Sequence, residues 1–340
     1  MDKTVGIVGL GIMGGAIARN LVERGWRVIG FDIDAARQAE LALANVTIAA
    51  DVSQVARDAP IIMTSLPSAA AAVDVAQIIA NSGQSSRIIV ELSTLALADK
   101  LRFEAILNKA GHSPLDCPLS GTGAQAKNRD LVVYASGDSH AIAKCMGLFA
   151  DFAKQSADLG KYGNGSRMKF VANHLVAIHN VATAEAMILA ERAGLDPKMV
   201  VEMVGPGAGG SRMFQMRAPM MVEGVYEPAT MKVSTWKKDM AIIAEFADEV
   251  GCATPLFTLT QPVYAEAMAI IEPASGSEPP ARTGFVLNIA AEEHDSARLS
   301  EGARRVVIRR PLRHERRNVA ILDEPAQVFG VTPDALAATR

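Results

Sequence analysis

The chain has 340 residues, 49% of them hydrophobic and 21% charged, with a formal net charge of -3. That length exceeds what one hydrophobic core usually fills, so two domains are expected, and the apolar fraction excludes a disordered chain. The charge gives no electrostatic reason to expect nucleic acid, which requires a concentrated basic surface, while Cys117, Cys145 and Cys252 form no CxxC pair that would argue for a disulfide framework or a zinc site.

Thr4 to Val8 is a β-branched run ending at Gly9, and Ile12 to Arg24 carries helical periodicity up to Gly25. Further strands are predicted at Arg27 to Phe31, Ile61 to Ser65, Arg87 to Glu91 and Leu131 to Ala135, with Ala-rich, helix-length segments between most of them. Parallel strands need crossovers and helices supply them, so an α/β domain with a mostly parallel, doubly wound sheet is expected over residues 1–162. The alternation stops near Leu159. Residues 165–193 then read as one helix of about eight turns, without proline, at ~3.6 residues per turn. With helices at Pro197 to Val204 and Thr235 to Val250, residues 163–271 read as an all-α substrate and oligomerisation domain.

Residues 272–340 differ from the body. They hold ten arginines and no lysine, and open on the Pro/Gly/Ser-rich EPASGSEPPARTG. The composition is that of a flexible extension or of a shifted reading frame in GC-rich coding DNA. Ten acidic residues offset the arginines, so a solvated face is expected here and not a nucleic-acid patch. At the other end, MDKTVGIVGLG enters a strand with no basic leader, and no apolar run approaches the ~18 residues that span a bilayer. A cytoplasmic protein without a membrane partner is expected.

Gly9-Leu10-Gly11-Ile12-Met13-Gly14 matches GxGxxG directly after a strand and opens a helix, the context in which that pattern binds a dinucleotide. Gly9 permits the tight turn, Gly11 lets a pyrophosphate approach the backbone, and Gly14 lets helix and strand pack closely. The N-terminal half is therefore read as a Rossmann domain. Asp32 ends the second predicted strand 21 residues after Gly11, where a carboxylate meets the adenosine ribose 2′-hydroxyl. A 2′-phosphate would be repelled there, which predicts NAD in preference to NADP. Asp34 is an alternative for the same role.

Four ordered segments resemble the β-hydroxyacid dehydrogenase family, which includes 3-hydroxyisobutyrate dehydrogenase and tartronate semialdehyde reductase, with 6-phosphogluconate dehydrogenase as a distant relative. They are VGIVGLGIMGGAIARNL; Asp116 to Gly121, similar to DAPVSGG; Gly163 to Lys169 with Asn173, similar to GxGxxxKxxxN; and Lys237 to Met240, similar to KDL. The resemblance implies that Ser120 and Gly121 hold a substrate carboxylate and that Leu66, Pro67 and Thr94 border the nicotinamide. It also implies that Lys238 contacts the cofactor, that Asp239 is its partner in the site, and that subunits pair as a dimer or tetramer. Thr122 departs from the family's second glycine, and ELSTLALAD lacks its aspartate and proline. Met231 stands where relatives often carry phenylalanine.

Independently of that likeness, Lys169 and Asn173 lie four apart on the long predicted helix and so project from one face. Hydride transfer to a carbonyl builds negative charge on oxygen, which a nearby ammonium stabilises and protonates. Lys169 is the expected acid and base, and Asn173 the group that fixes geometry. A solvated lysine on an exposed helix face is the competing reading. His174 and His179 are five apart and out of line for metal ligation, so no metal is expected. The sequence thus predicts an NAD-dependent dehydrogenase of a small (C3–C5) β-hydroxy acid, or reductase of its semialdehyde. Its rivals are an imine reductase, whose relatives lack the lysine, and a non-catalytic NAD-binding scaffold.

Overall fold

The structure is a computed structural model and describes residues 3–84, 86–224 and 233–271. Met231 and the tail from Glu272 onward lie outside the described residues. The N-terminal half runs β1 (Thr4–Val8), α1 (Ile12–Glu23), β2 (Arg27–Phe31), α2 (Ala35–Ala42), β3 (Thr47–Ile48), α3 (Val52–Asp58), β4 (Ile61–Thr64) and α4 (Ala69–Ala80). It continues through β5 (Ile88–Glu91), α5 (Leu97–Lys109), β6 (Ser113–Asp116), β7 (Leu119–Ser120), α6 (Gly123–Lys127), β8 (Val132–Gly137), α7 (Ser139–Phe152) and β9 (Gln155–Asp158).

The strands form one sheet in the order β3-β2-β1-β4-β5-β6-β8-β7, with β9 on β8. Pairing is parallel from β3 to β6 and turns antiparallel at β6–β8, where Asp116 faces Ser136. β1, β4 and β5 are buried along their whole length, as their largely apolar, β-branched-rich sequences require of strands covered on both faces. One apolar cluster on α1 and α7 packs one face, and another on α3, α4 and α5 packs the other. Strand order reverses between β1 and β4, the switch point at which such sheets leave a crevice at the strands' carboxyl ends.

The second half is helical throughout its described residues: α8 (Asn164–Arg192), α9 (Pro197–Val204), α10 (Arg212–Glu223), α11 (Val233–Glu249) and α12 (Pro255–Ile271). α8 is 29 residues long and is the element on which α10, α11 and α12 pack. Phe170, Met187, Phe214, Trp236 and Phe257 fill the core between them. The Rossmann half followed by a long helix and an all-α domain is the fold expected from the sequence.

Sequence reasoning passed over β3, β6, β7, β9, α10 and α12. The strands are two to four residues long and polar or proline-bearing, as in SPLD and QSAD. α10 and α12 carry Pro219 and Pro262 in their interiors, where tertiary packing overrides a residue that ordinarily stops a helix.

Candidate active site

The glycine loop is shaped by contact. Gly9 has φ +93°, and a Cβ on it would fall 2.2 Å from the Ser65 carbonyl oxygen. A Cβ on Gly14 would fall 1.9 Å from the Gly9 oxygen, so only glycine lets α1 sit this near β1. Gly11 differs: the nearest atom to its virtual Cβ is the Arg37 guanidinium Nη1 at 3.0 Å. Gly11 is the N-cap of α1 and no side chain caps that helix. The loop therefore presents backbone with unclaimed helix amides, and these residues fit a pyrophosphate.

Asp32 closes β2 beside this loop. Its Oδ2 accepts the Leu10 N–H at 2.6 Å and its Oδ1 the Asp34 N–H at 2.9 Å, which fixes the carboxylate and leaves lone pairs for a ribose. Asp34 is otherwise engaged: it caps α2 through the Ala36 N–H at 2.9 Å and pairs with Arg37 Nε at 3.2 Å.

Leu66 and Pro67 follow β4, and Thr94 follows β5, at the carboxyl edge of the sheet. The two loops are tied together, because the Leu66 N–H donates to Ser93 Oγ at 2.8 Å and the Ser93 N–H to Glu91 Oε1 at 2.9 Å. Lys238, on α11, donates from Nζ to the Thr94 carbonyl. A residue 144 positions away in sequence thus lands on the same edge.

Ser120 ends β7, and Gly121 and Thr122 connect it to α6. Gly121 has φ +138°, and a Cβ there would meet Leu131 Cδ2 at 2.5 Å. Thr122, the departure from the family pattern, is the N-cap of α6, and its N–H donates to Gln125 Oε1 at 3.0 Å. Behind it, Gly123 lies so near the cofactor loop that a Cβ would sit 2.4 Å from Ile12 Cγ2. The loop is thereby seated against the start of α1. Among the described residues no hydrogen bond joins it to Lys169.

Lys169 and Asn173 lie on the first turns of α8 and are buried. Asn173 Nδ2 donates to Asp239 Oδ2 at 3.1 Å, and Lys238 Nζ stands 3.2 Å from Asp239 Oδ1. Lys169 makes no hydrogen bond or ion pair among the described residues, although only 8% of it is exposed. Burial, aided by the charge of Lys238 and opposed by Asp239, lowers the Lys169 amine to about 8. Burial likewise raises the Asp239 carboxyl against the pull of Lys238 and Lys169. An amine poised near neutrality, with free donor capacity and an oriented amide one turn on, can exchange a proton with a hydroxyl or carbonyl oxygen. His174 stacks on Phe257 at 5.2 Å between ring centroids.

A second charged cluster escaped sequence reasoning. Glu91, Lys100 and Asp116 are fully buried together, with Lys100 Nζ bonded to Glu91 Oε2 and 3.0 Å from Asp116 Oδ1. One signal pointed to it: Lys100 shares a helical stripe with Phe103 and Leu107, the other buried side chains of α5, which is no place for an unpaired ammonium.

Residues 4–162 match the NAD binding domain of 6-phosphogluconate dehydrogenase, and residues 163–278 the NAD-binding domain of NADP-dependent 3-hydroxyisobutyrate dehydrogenase. An uncharacterized oxidoreductase of Bacillus subtilis, YkwC, is 31% identical over 82% of this chain and 97% of its own length. Glyoxylate/succinic semialdehyde reductase 2 of Arabidopsis thaliana is 26% identical over 77% of this chain and 74% of its own. The crystal structure of a 3-hydroxyisobutyrate dehydrogenase from Salmonella typhimurium superposes with a TM-score of 0.70 at 28% identity, covering 78% of this chain and 94% of that one.

Proposed function

This chain belongs to the family of NAD(P)-dependent oxidoreductases that unites 6-phosphogluconate dehydrogenase and 3-hydroxyisobutyrate dehydrogenase, and on that premise we propose that it interconverts a small β-hydroxy acid of three to five carbons with its semialdehyde or keto acid, using NAD. Membership makes it an enzyme that transfers hydride at a CH–OH carbon. The narrower reading rests on one observation, a buried lysine amine at about 8 that makes no hydrogen bond or ion pair among the described residues, with the charges of Lys238 and Asp239 on α11 acting on it.

Bound NAD supplies the hydride acceptor, or in its reduced form the donor. In the oxidative direction the neutral Lys169 amine takes the hydroxyl proton, and in reduction its ammonium returns that proton to the carbonyl oxygen. Asn173, held by Asp239, orients the same oxygen. Ser120 and Gly121 receive the substrate carboxylate, with Thr122 narrowing that end of the pocket. Gly9 to Gly14 cradle the pyrophosphate and Asp32 the ribose. Leu66, Pro67, Thr94 and Lys238 border the reacting ring. Asp32 favours NAD because a 2′-phosphate would face a fixed carboxylate. Semialdehyde substrates fit the name of the Arabidopsis relative, and the all-α domain is the part through which copies would pair.

The purified protein, NAD and a panel of C3–C5 hydroxy acids test this, read by nicotinamide absorbance. Turnover is expected with at least one, and Lys169→Ala should lower it by ~10²–10⁴ with NADH binding retained. Binding of NAD with no absorbance change across the panel would leave a scaffold, and a Lys169→Ala rate within tenfold of wild type would remove the lysine from the chemistry.

A further inference from the structure

Two parts of the site must be held in register for hydride and proton to reach one substrate: the loops after β4 and β5, and the first turns of α8. They belong to different domains in sequence. A continuous chain of polar contacts, part-buried at Leu66 and Ser93 and buried from Glu91 to Ser166, nevertheless runs between them. Leu66 donates to Ser93 Oγ, Ser93 N–H donates to Glu91 Oε1, and Lys100 Nζ bonds Glu91 Oε2. From Lys100 the chain continues to Asp116 Oδ1 at 3.0 Å. Asp116 in turn takes the Ser166 N–H on Oδ2 at 2.7 Å and the Ser166 hydroxyl on Oδ1 at 2.9 Å. Ser166 is one helical turn ahead of Lys169.

We propose that Lys100 is a positioning residue for hydride transfer, its ammonium joining the strand that holds the nicotinamide-side loop to the carboxylate that seats the helix carrying Lys169. This rests on the reading above that both parts serve one substrate. Three observations carry it. First, the cluster is sealed from solvent, with Glu91, Lys100 and Asp116 all at 0% exposure, so its contacts are undiluted by water. Second, beyond Lys100 the Glu91 carboxylate accepts from the loop, through the Ser93 N–H, whereas Asp116 accepts from α8, through Ser166, and at 3.4 Å from Ser136 Oγ, which itself accepts the N–H of Gly165 on α8. Third, the seat of α8 is tight: a Cβ on Gly165 would lie 2.3 Å from the Tyr134 oxygen and 2.5 Å from the Asp116 oxygen, and Gly165 N–H donates to Ser136 Oγ at 2.9 Å. A buried ion cluster is a poor source of stability but a good source of a unique geometry. Here the geometry fixed is the separation of two reacting parts, where a displacement of about 1 Å can cost on the order of a hundredfold in rate.

The test compares wild type with Lys100→Met and with Glu91→Gln/Lys100→Met. The double variant removes the bridge while keeping the cluster's net charge and leaving Asp116 on Ser166, so it folds where the single variant fails. Amide hydrogen exchange is followed in segments 92–96 and 163–169 with NADH bound, alongside single-turnover hydride transfer from a deuterated hydroxy acid. Exchange in both segments should quicken about tenfold or more and hydride transfer slow by about tenfold or more, with the NADH dissociation constant unchanged within about twofold. A purely structural lysine would lower the melting temperature and move neither the exchange at 163–169 nor the single-turnover rate of the folded variant. That result overturns the proposal. Should wild type oxidise no hydroxy acid, the reading of substrate fails, and exchange in the two segments still decides whether Lys100 couples them.

Discussion

Among the described residues two lysines are withdrawn from water, and their surroundings differ. Lys100 has no exposed surface and meets two carboxylates, whereas Lys169 is 8% exposed and meets none among the described residues. Burial lowers both amines from their ordinary range. At Lys100 the carboxylate of Asp116 opposes that fall, and the amine is held by contacts sealed from solvent. At Lys169 the carboxylate of Asp239 opposes it and Lys238 adds to it, and the amine makes no hydrogen bond or ion pair among the described residues. Burial alone therefore does not mark a reactive group. Burial with unspent hydrogen-bonding capacity does.

The contrast breaks most visibly in stability. Lys100→Met strands two buried carboxylates, and removing one partner of such a cluster typically costs ~3–5 kcal/mol. Urea unfolding at neutral pH should show a loss of that order. A loss under about 1 kcal/mol would mean that water reaches the cluster.

Lys169→Met should act with the opposite sign. The folded amine, at about 8, lies below its unfolded value of 10.5, so between those values the unfolded chain binds more protons and stability rises with pH. Below about 8 the folded protein bears the full cost of a desolvated ammonium. The methionine variant should accordingly be more stable than wild type by about 1–3 kcal/mol at pH 7, with the gap closing as pH rises through 8 toward 10.5. On the proposed reading the same amine should set the pH dependence of turnover. Oxidation needs it neutral and should climb through an apparent pKa near 8, while reduction needs it protonated and should fall through the same value. Profiles with no inflection between pH 7 and 9 would disconnect Lys169 from the proton.

This difference between the lysines also explains what could be read in the sequence. The glycine loop is local: strand, turn and helix lie within 20 residues, and each glycine's role follows from spacing. Lys169 and Asn173 are one helical turn apart and were legible for the same reason. Lys100 was not, because its partners sit 9 and 16 positions away on two different strands and only the sheet's register places them side by side. Thr94 and Lys238 were legible only through resemblance, since a contact spanning 144 residues leaves no periodicity. Thr122 stands out in the sequence as a departure from the family's second glycine, and the fold adds that it caps α6.

The smallest effect should come from Asp32, a third charged group, fixed by backbone amides instead of a countercharge. Its two roles can be separated. Asp32→Asn removes the charge and the acceptor of the Asp34 N–H but keeps an oxygen for the Leu10 N–H, which Oδ2 accepts at 2.6 Å. Asp32→Ala removes the charge and both acceptors. If repulsion of a 2′-phosphate sets the preference for NAD, the two variants should narrow the NAD to NADP ratio of kcat/KM alike, several-fold to a hundredfold on the ~1–3 kcal/mol scale of a like-charge contact. Only the alanine variant should weaken NAD itself through a slackened glycine loop. Equal NAD affinities in both variants would show that the loop holds its shape without Asp32, and an unchanged ratio in both would remove that carboxylate from the ribose site.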